Sequence, residues 1–264
     1  LDILHAVENE AQKHNHCLSF VQSGEVLMKD PLLYNYFLDR ERIHGVISFL
    51  GNKRHLSRLA NSFPVVSIGS KNAEADYIIA DLEGGTRMAL NYLLSLGHHR
   101  IGFIGVRMSD DAGKKSIRVR YKTYIDWMNE QGIPINNNWI LECQDFNREN
   151  GFTAAEKLLE NCKRPTAVFC ACDELAYGAL LAFRARNVDV PGEISVMGFD
   201  NLSTSELVYP SLTTIAIDSA EIGRNAIGTL VKRIKDPNRD QVSIIQKGTL
   251  VERDSCCNPR CGDR

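Results

Sequence analysis

Several residues able to hold a polar ligand sit directly behind short apolar runs. Asp81 follows the run around Tyr77, Asp145 and Phe146 follow the one around Trp139, Cys172 and Asp173 follow Ala167–Cys170, and Asp200 with Asn201 follows the run from Ile194. Gly69-Ser70 and Val106-Arg107 occupy the same kind of position earlier in the chain. Carboxylates accept hydrogen bonds from ligand hydroxyls, and an aromatic ring covers an apolar face. A rim of acids and one ring therefore suits a hydroxyl-rich small molecule.

The elements that must position these residues are legible as alternating strands and helices. The runs Gly45-Val46-Ile47-Ser48-Phe49, Pro64-Val65-Val66-Ser67-Ile68, Ile101-Gly102-Phe103-Ile104-Gly105, Ala167-Val168-Phe169-Cys170 and Ile194-Ser195-Val196-Met197-Gly198 are apolar without alternation. Such strands are buried on both faces, as in parallel sheets covered by helices. Amphipathic stretches over residues 82–96, 115–131, 150–161, 174–186 and 218–234 predict helices, several ending at Gly97 or Gly132 or before Pro237. Asp30-Pro31 predicts an N-cap with proline at the first helical position. The expected fold class is α/β, with doubly wound parallel sheets and right-handed crossovers. In such sheets ligands bind beyond the carboxyl ends of the strands, where the polar residues above lie.

Composition narrows the function classes. The 264 residues fit one large domain or two lobes, and a net charge of −2 lacks the basic excess of a nucleic-acid surface. No apolar run approaches the roughly 18 residues of a membrane span, and no signal peptide is visible. The 8 cysteines are scattered and four lie in strand-like runs, which suggests a reducing cytoplasm rather than a disulfide framework. Cys170-Ala171-Cys172 lacks the paired spacing and closed ligand set of a zinc site, so no metal is expected. No G-x-S-x-G, HExxH or Walker motif appears, no cofactor is implied, and an enzyme is not expected.

Five stretches, in order, resemble the LacI/GalR family of bacterial transcription regulators. Leu94-Ser95-Leu96-Gly97-His98-His99-Arg100-Ile101 is similar to its "LxxLGHxxIaFI", and Asp173-Glu174-Leu175-Ala176-Tyr177-Gly178 to "NDxxAxG". Residues 190–201, Val-Pro-Gly-Glu-Ile-Ser-Val-Met-Gly-Phe-Asp-Asn, resemble "VPxDISVxGFDD". Tyr209-Pro210-Ser211-Leu212-Thr213-Thr214-Ile215 looks like "PPLTTI", and Leu250-Val251-Glu252-Arg253-Asp254-Ser255 like the closing "LxxRxS".

The resemblance implies a type I periplasmic-binding-protein-like fold, two doubly wound lobes around a ligand cleft. It implies a homodimer that senses a sugar-like effector and acts on operator DNA through a helix-turn-helix outside this chain. Its lobes would be 1–105 with 218–242 and 106–217 with 243–255, followed by a tail, 256–264. Chain crossings are expected near Gly105-Val106, Ile217-Asp218 and Val242. Arg120 matches the family's effector-gripping arginine, in Arg120-Tyr121-Lys122-Thr123-Tyr124 where "RxxGF" has glycine at the fourth position. Asp200 matches the aspartate of "GFD", and Phe146 the aromatic that stacks on ligand. Cys172 stands where sugar-binding members often have Asn, with Asp173 after it as an N-cap. The ligand set expected is thus Arg120, Asp200, Phe146, Cys172, Asp173 and Asp81.

The family's DNA-binding segment, hinge helix and first sheet strand have no counterpart in the sequence. The expectation is a truncated chain that begins within a first helix over 1–13, with 17–21 as the family's second strand. A sugar-binding protein of a transport system, on the same fold, is the alternative. The "VPxDISVxGFD" match and the many unpaired cysteines favour the regulator.

Overall fold

The structure, a computed structural model, describes residues 2–39, 41–49, 53–106 and 115–260, so Arg107 and Cys261 lie outside the described residues. In chain order the first elements are α1 (Asp2–Lys13), α2 (Gly24–Lys29), α3 (Pro31–Phe37), β1 (Val46–Phe49), α4 (Lys53–Ala60), β2 (Val65–Ile68), β3 (Asp76–Ala80), α5 (Leu82–Ser95), β4 (Ile101–Val106) and α6 (Lys115–Glu130). Next come β5 (Ile140–Cys143), α7 (Arg148–Leu159), β6 (Ala167–Cys170), α8 (Asp173–Ala185), β7 (Ser195–Met197), β8 (Thr214–Ala216), α9 (Ser219–Lys235), β9 (Ser243–Gln246) and β10 (Thr249–Val251). They pack into two compact units, Leu1–Ala80 with Asp218–Gln246 and Asp81–Ile217 with Lys247–Arg264.

The first unit holds a parallel sheet in the order β1-β2-β3-β9. Its apolar runs behave as their composition demands, β2 being buried along its whole length. α9 covers the sheet and packs against α1, with Val7 and Ala11 on Ile227 and Val231 and Ile47 of β1 against the same cluster. A second cluster, Leu27, Tyr34, Leu56, Leu59 and Phe63, joins α2, α3 and α4. Asp76 is buried at the start of β3, where both its oxygens accept from Arg233 (2.8 and 3.0 Å) and Oδ1 also accepts from the Val242 N–H at 2.7 Å. That junction fixes the turn from α9 into β9.

Residues 17–21, expected as a strand, are not one. A ladder needs a neighbour offering free N–H and C=O groups at strand spacing. Among the described residues β1 pairs only with β2, and a cavity of about 690 Å³ is lined both by Cys17–Val21 residues such as Leu18 and Phe20 and by Val46 and Ile47 of β1.

The second unit holds a parallel sheet in the order β5-β4-β6-β7, with β8 and β10 forming an antiparallel pair beside it. Bridges Met197↔Thr213 and Asp200↔Ala216 tie β7 and the residues after it to the β8 stretch. The sequence had carried the first unit to residue 105, and here the structure differs. β4 is paired on both sides, by β5 and β6, and α5 buries Ala89, Leu90 and Leu93 in the same core, so the division falls after Ala80. Residues 243–246 likewise belong to the first unit, because β9 pairs with β3 from Tyr77↔Ser243 to Ala80↔Gln246. Between β7 and β8 the chain makes a single 3-10 turn, Ser203–Glu206.

α7 and α8 touch backbone to backbone. A Cβ on Gly178 would stand 2.1 Å from the Arg148 carbonyl oxygen, and one on Gly151 would stand 2.2 Å from that of Leu175. Arg148–Glu174 and Arg186–Glu156 ion pairs flank the contact.

The tail is part of this unit as far as residue 260. α5 ends in a Schellman turn, with Gly97 at φ +95° and N–H groups of Gly97 and His98 returning to Leu94 and Leu93. The turn delivers His98 to a buried seat, Nδ1 2.9 Å from Thr166 Oγ1 and Nε2 2.8 Å from the Cys257 carbonyl oxygen. Burial holds its pKa below the usual histidine value, the Cys257 carbonyl opposing. Because folding disfavours the imidazolium, this contribution is complete above about pH 6.5 and is lost as pH falls through that value toward the lower folded one. His98→Gln is expected to flatten the decline in thermal midpoint below about pH 6.5 relative to wild type. An unchanged pH profile in scanning calorimetry would remove His98 from that role.

Candidate functional site

The polar residues behind the strands of the second unit do not all face the same way. β7 ends at Met197, and the chain continues through Gly198 and Phe199 to Asp200, whose N–H donates to the Ile215 carbonyl at 2.8 Å. Asp200 and Asn201 have φ of +111° and +53°. L-residues rarely occupy that region, at a cost of about 1–3 kcal/mol, and hold it only where the surroundings over-determine it. Here they do. Arg253 donates to Asn201 Oδ1 at 2.8 Å and to the Leu212 carbonyl at 2.7 Å.

α6 brings Arg120 to this turn. Its guanidinium carbon lies 4.2 Å above the Phe199 ring, and Nη2 donates to Asp200 Oδ1 at 3.2 Å. The arginine side chain is only 11% exposed, and its Nε is buried without a hydrogen-bond partner among the described residues. A guanidinium carries five donors in a planar fork. One of them reaches Asp200 and one is orphaned inside the protein, a state that costs free energy until an acceptor is supplied. Asp200 keeps 36% of its side-chain surface, yet burial pushes its carboxyl up to about 6, with Arg120 holding it down and Asp173 adding to the rise.

Cys172 joins this pair. It is the N-cap residue of α8, without a capping bond from its side chain, and is nearly buried. Burial pushes its thiol up to about 12; the Leu175 N–H opposes, Asp200 adds to the rise, and Arg120 favours the thiolate. The thiol is therefore neutral near pH 7, an apolar contact and not a nucleophile. Phe146 lies half-buried in the loop between β5 and α7, packed against the same core.

Two expected ligand residues have other work. Asp173 is not the N-cap but the first residue of α8, and it is wholly buried. Its Oδ2 accepts from the Leu202 N–H (2.8 Å) and Ser205 Oγ (2.7 Å), and its Oδ1 from Thr214 Oγ1 (2.6 Å). A carboxylate so enclosed has no face for a ligand. Asp81 caps α5, accepting the Gly84 N–H at 2.9 Å.

Phe199 and Arg253 were missed as site residues, although the signal was present. The ring of "GFD" is the platform beneath Arg120. The Arg and Ser of "LxxRxS" brace the site from behind, since Ser255 Oγ donates to the Val196 carbonyl (2.6 Å) and accepts the Thr213 N–H (2.8 Å).

Comparison with known proteins gives one domain match: residues 90–256 fit a periplasmic binding protein-like domain. The chain is 32% identical to the HTH-type transcriptional repressor PurR of Pasteurella multocida over 262 residues, covering 96% of this chain and 76% of that protein. It is 31% identical to the ribose operon repressor of Haemophilus influenzae over 260 residues, with the same two coverages of 96% and 76%. A ribose-bound LacI family transcriptional regulator from Enterococcus faecium superposes with a TM-score of 0.83 at 22% identity, over 98% of this chain and 94% of that one.

Proposed function

Because this chain belongs to the LacI family of transcriptional regulators, as its periplasmic-binding-protein-like effector-binding domain, we propose that it binds a small sugar-like effector through Arg120, Asp200, Cys172 and Phe146. The named relatives are transcriptional repressors, and the chain is a regulatory domain rather than an enzyme. The observation that carries the ligand reading is Arg120: a nearly buried guanidinium with an orphaned Nε, set beside an acceptor carboxylate on an over-determined turn. Together they offer donors and an acceptor side by side, which suits adjacent hydroxyls of a ring. Ribose bound to the Enterococcus faecium regulator makes D-ribose the first probe.

Binding would alter operator recognition by a helix-turn-helix carried outside these residues, in a cytoplasmic protein. An effector shifts such an equilibrium only by its differential affinity for two conformations. We further propose a homodimer. Leu207 and Tyr209 are 78% and 84% exposed on the stretch that follows the Asp200 turn, apolar surface of the kind that marks an interface.

The test is a thermal-shift screen of pentoses, hexoses, sugar phosphates and purines, D-ribose included. At least one is expected to raise the midpoint of wild type and leave Arg120→Ala unmoved. A ligand that stabilises both equally would place the effector elsewhere. Sedimentation showing a monomer at micromolar concentration would overturn the dimer.

A further inference from the structure

We propose that Asp173 is the positioning residue of the effector pair: its buried carboxylate pins the turn after β7 so that Asp200 is held against Arg120. The inference rests on the binding function proposed above. Asp200 is gripped on both sides by the same residue. Ahead of it, the Phe199 carbonyl accepts the Asp173 N–H at 2.8 Å. Behind it, the Leu202 N–H donates to Asp173 Oδ2. The two bonds span the pair of left-handed residues, Asp200 and Asn201, whose backbone would otherwise relax.

The rest of the carboxylate is occupied by groups that fix its own orientation. Ser205 Oγ lies 2.7 Å from Oδ2 and 2.8 Å from Tyr177 Oη, and Thr214 Oγ1 donates to Oδ1 from β8. A Cβ on Gly198 would come within 2.3 Å of Oδ1, so the strand end and the carboxylate approach each other as closely as glycine permits. The groups facing Asp200 are Arg120 from α6 and Asp173 and Cys172 from the start of α8. Burial raises the Asp173 pKa, and hydrogen bonding to Thr214, Ser205, Leu202 and Phe199 opposes the rise.

The experiment uses the whole chain and no effector. In protein labelled with carboxyl ¹³C-aspartate, the Asp200 signal is assigned by its loss in Asp200→Asn and titrated by NMR, alongside hydrogen exchange at the Leu202 amide. In Asp173→Asn the Leu202 amide is expected to exchange at least about tenfold faster. The Asp200 midpoint should fall from about 6 toward the ordinary carboxylate range, as the turn loosens and the neighbouring charge is gone. A role confined to starting α8 would speed exchange within α8 and leave the Leu202 amide unchanged, while loss of the Asp173 charge would still lower the Asp200 midpoint.

Thr214→Val keeps the shape and removes one donor, and it is expected to move Leu202 exchange in the same direction by a smaller factor. Thr214→Ser is expected to restore it. This pair decides the question if Asp173→Asn does not fold. Unchanged Leu202 exchange in folded Asp173→Asn overturns the proposal, as does unchanged Leu202 exchange in Thr214→Val. Because neither readout needs an effector, an Arg120→Ala variant that still binds its ligand would sink the binding function alone.

Discussion

Arg120→Ala should weaken binding of the sugar that stabilises the wild type by about a hundredfold or more, without unfolding the protein. The size follows from what is lost. Hydrogen bonds to a charged group contribute about 1.5–3 kcal/mol each, and two such bonds exceed the roughly 2.7 kcal/mol of a hundredfold change. The fold survives because the side chain leaves behind Phe199, already buried in the core, and Asp200, which keeps contact with water. Calorimetry at pH 7.5 reads the loss directly. The same titration in wild type should weaken as pH falls through about 6, where Asp200 gains a proton and ceases to accept from the ligand. Affinity that is flat from pH 5 to 8 would remove Asp200 from the contact. Arg120→Lys is not expected to rescue, because an ammonium lacks the planar fork and could not lie over the Phe199 ring in the same way.

Gly178→Ala is expected to destabilise the second unit by about 3 kcal/mol, although alanine is the better helix former. In an open helix the exchange would gain about 1 kcal/mol. At Gly178 the new methyl would meet the Arg148 carbonyl at 2.1 Å, the Phe152 nitrogen at 2.6 Å and the Gly151 carbonyl carbon at 2.9 Å. All three are backbone atoms, so neither rotamer change nor a flexible chain end relieves the overlap, and α7 must move off α8. Gly228 in α9 is the control: a Cβ there meets nothing within 4 Å. Gly228→Ala should stabilise by about 0.5–1 kcal/mol. Urea denaturation of both variants checks the pair. Effects of opposite sign are required, and a neutral Gly178→Ala would show that the helices have room to part.

How far the sequence could be followed depended on whether a signal was local. Runs apolar on both faces became β2, β4, β6 and β7, each buried along its length, because double burial is written into composition. Which sheet a strand joins is not written there. β4 follows α5 in the same alternation on either side of the boundary, and only its pairing with β5 and β6 assigns it to the second unit. Residues 17–21 have strand composition, but strand formation is a property of a pair, and among the described residues no strand pairs with them. The acids show the same limit. Asp173 and Asp200 both follow a buried strand, so position alone gives them equal claim to a ligand. The turn at Asp200 directs one carboxylate toward Arg120, while Ser205, Thr214 and Leu202 enclose the other. The resemblance put Arg120 and Asp200 in one expected ligand set, and the structure sets Nη2 of the one 3.2 Å from Oδ1 of the other, yet the ring beneath Arg120 was legible only as one letter of a signature.

The closing stretch, residues 247–257, has a bearing on how the protein is made in the cell. β7 is finished at Met197, but the Val196 N–H finds its acceptor in the Ser255 carbonyl and the Thr213 N–H finds its own in Ser255 Oγ. β8 waits for β10 in the same way. Between the synthesis of β7 and that of Ser255 lie roughly 60 residues, or about 3–12 s at ~5–20 residues per second. Through that interval a nascent chain carries a nearly complete parallel sheet whose rim is still open. Chaperone engagement, premature termination and ribosome pausing would all act on this unit in that window, and a messenger cut short before the Ser255 codon would yield a sheet that can form but cannot close.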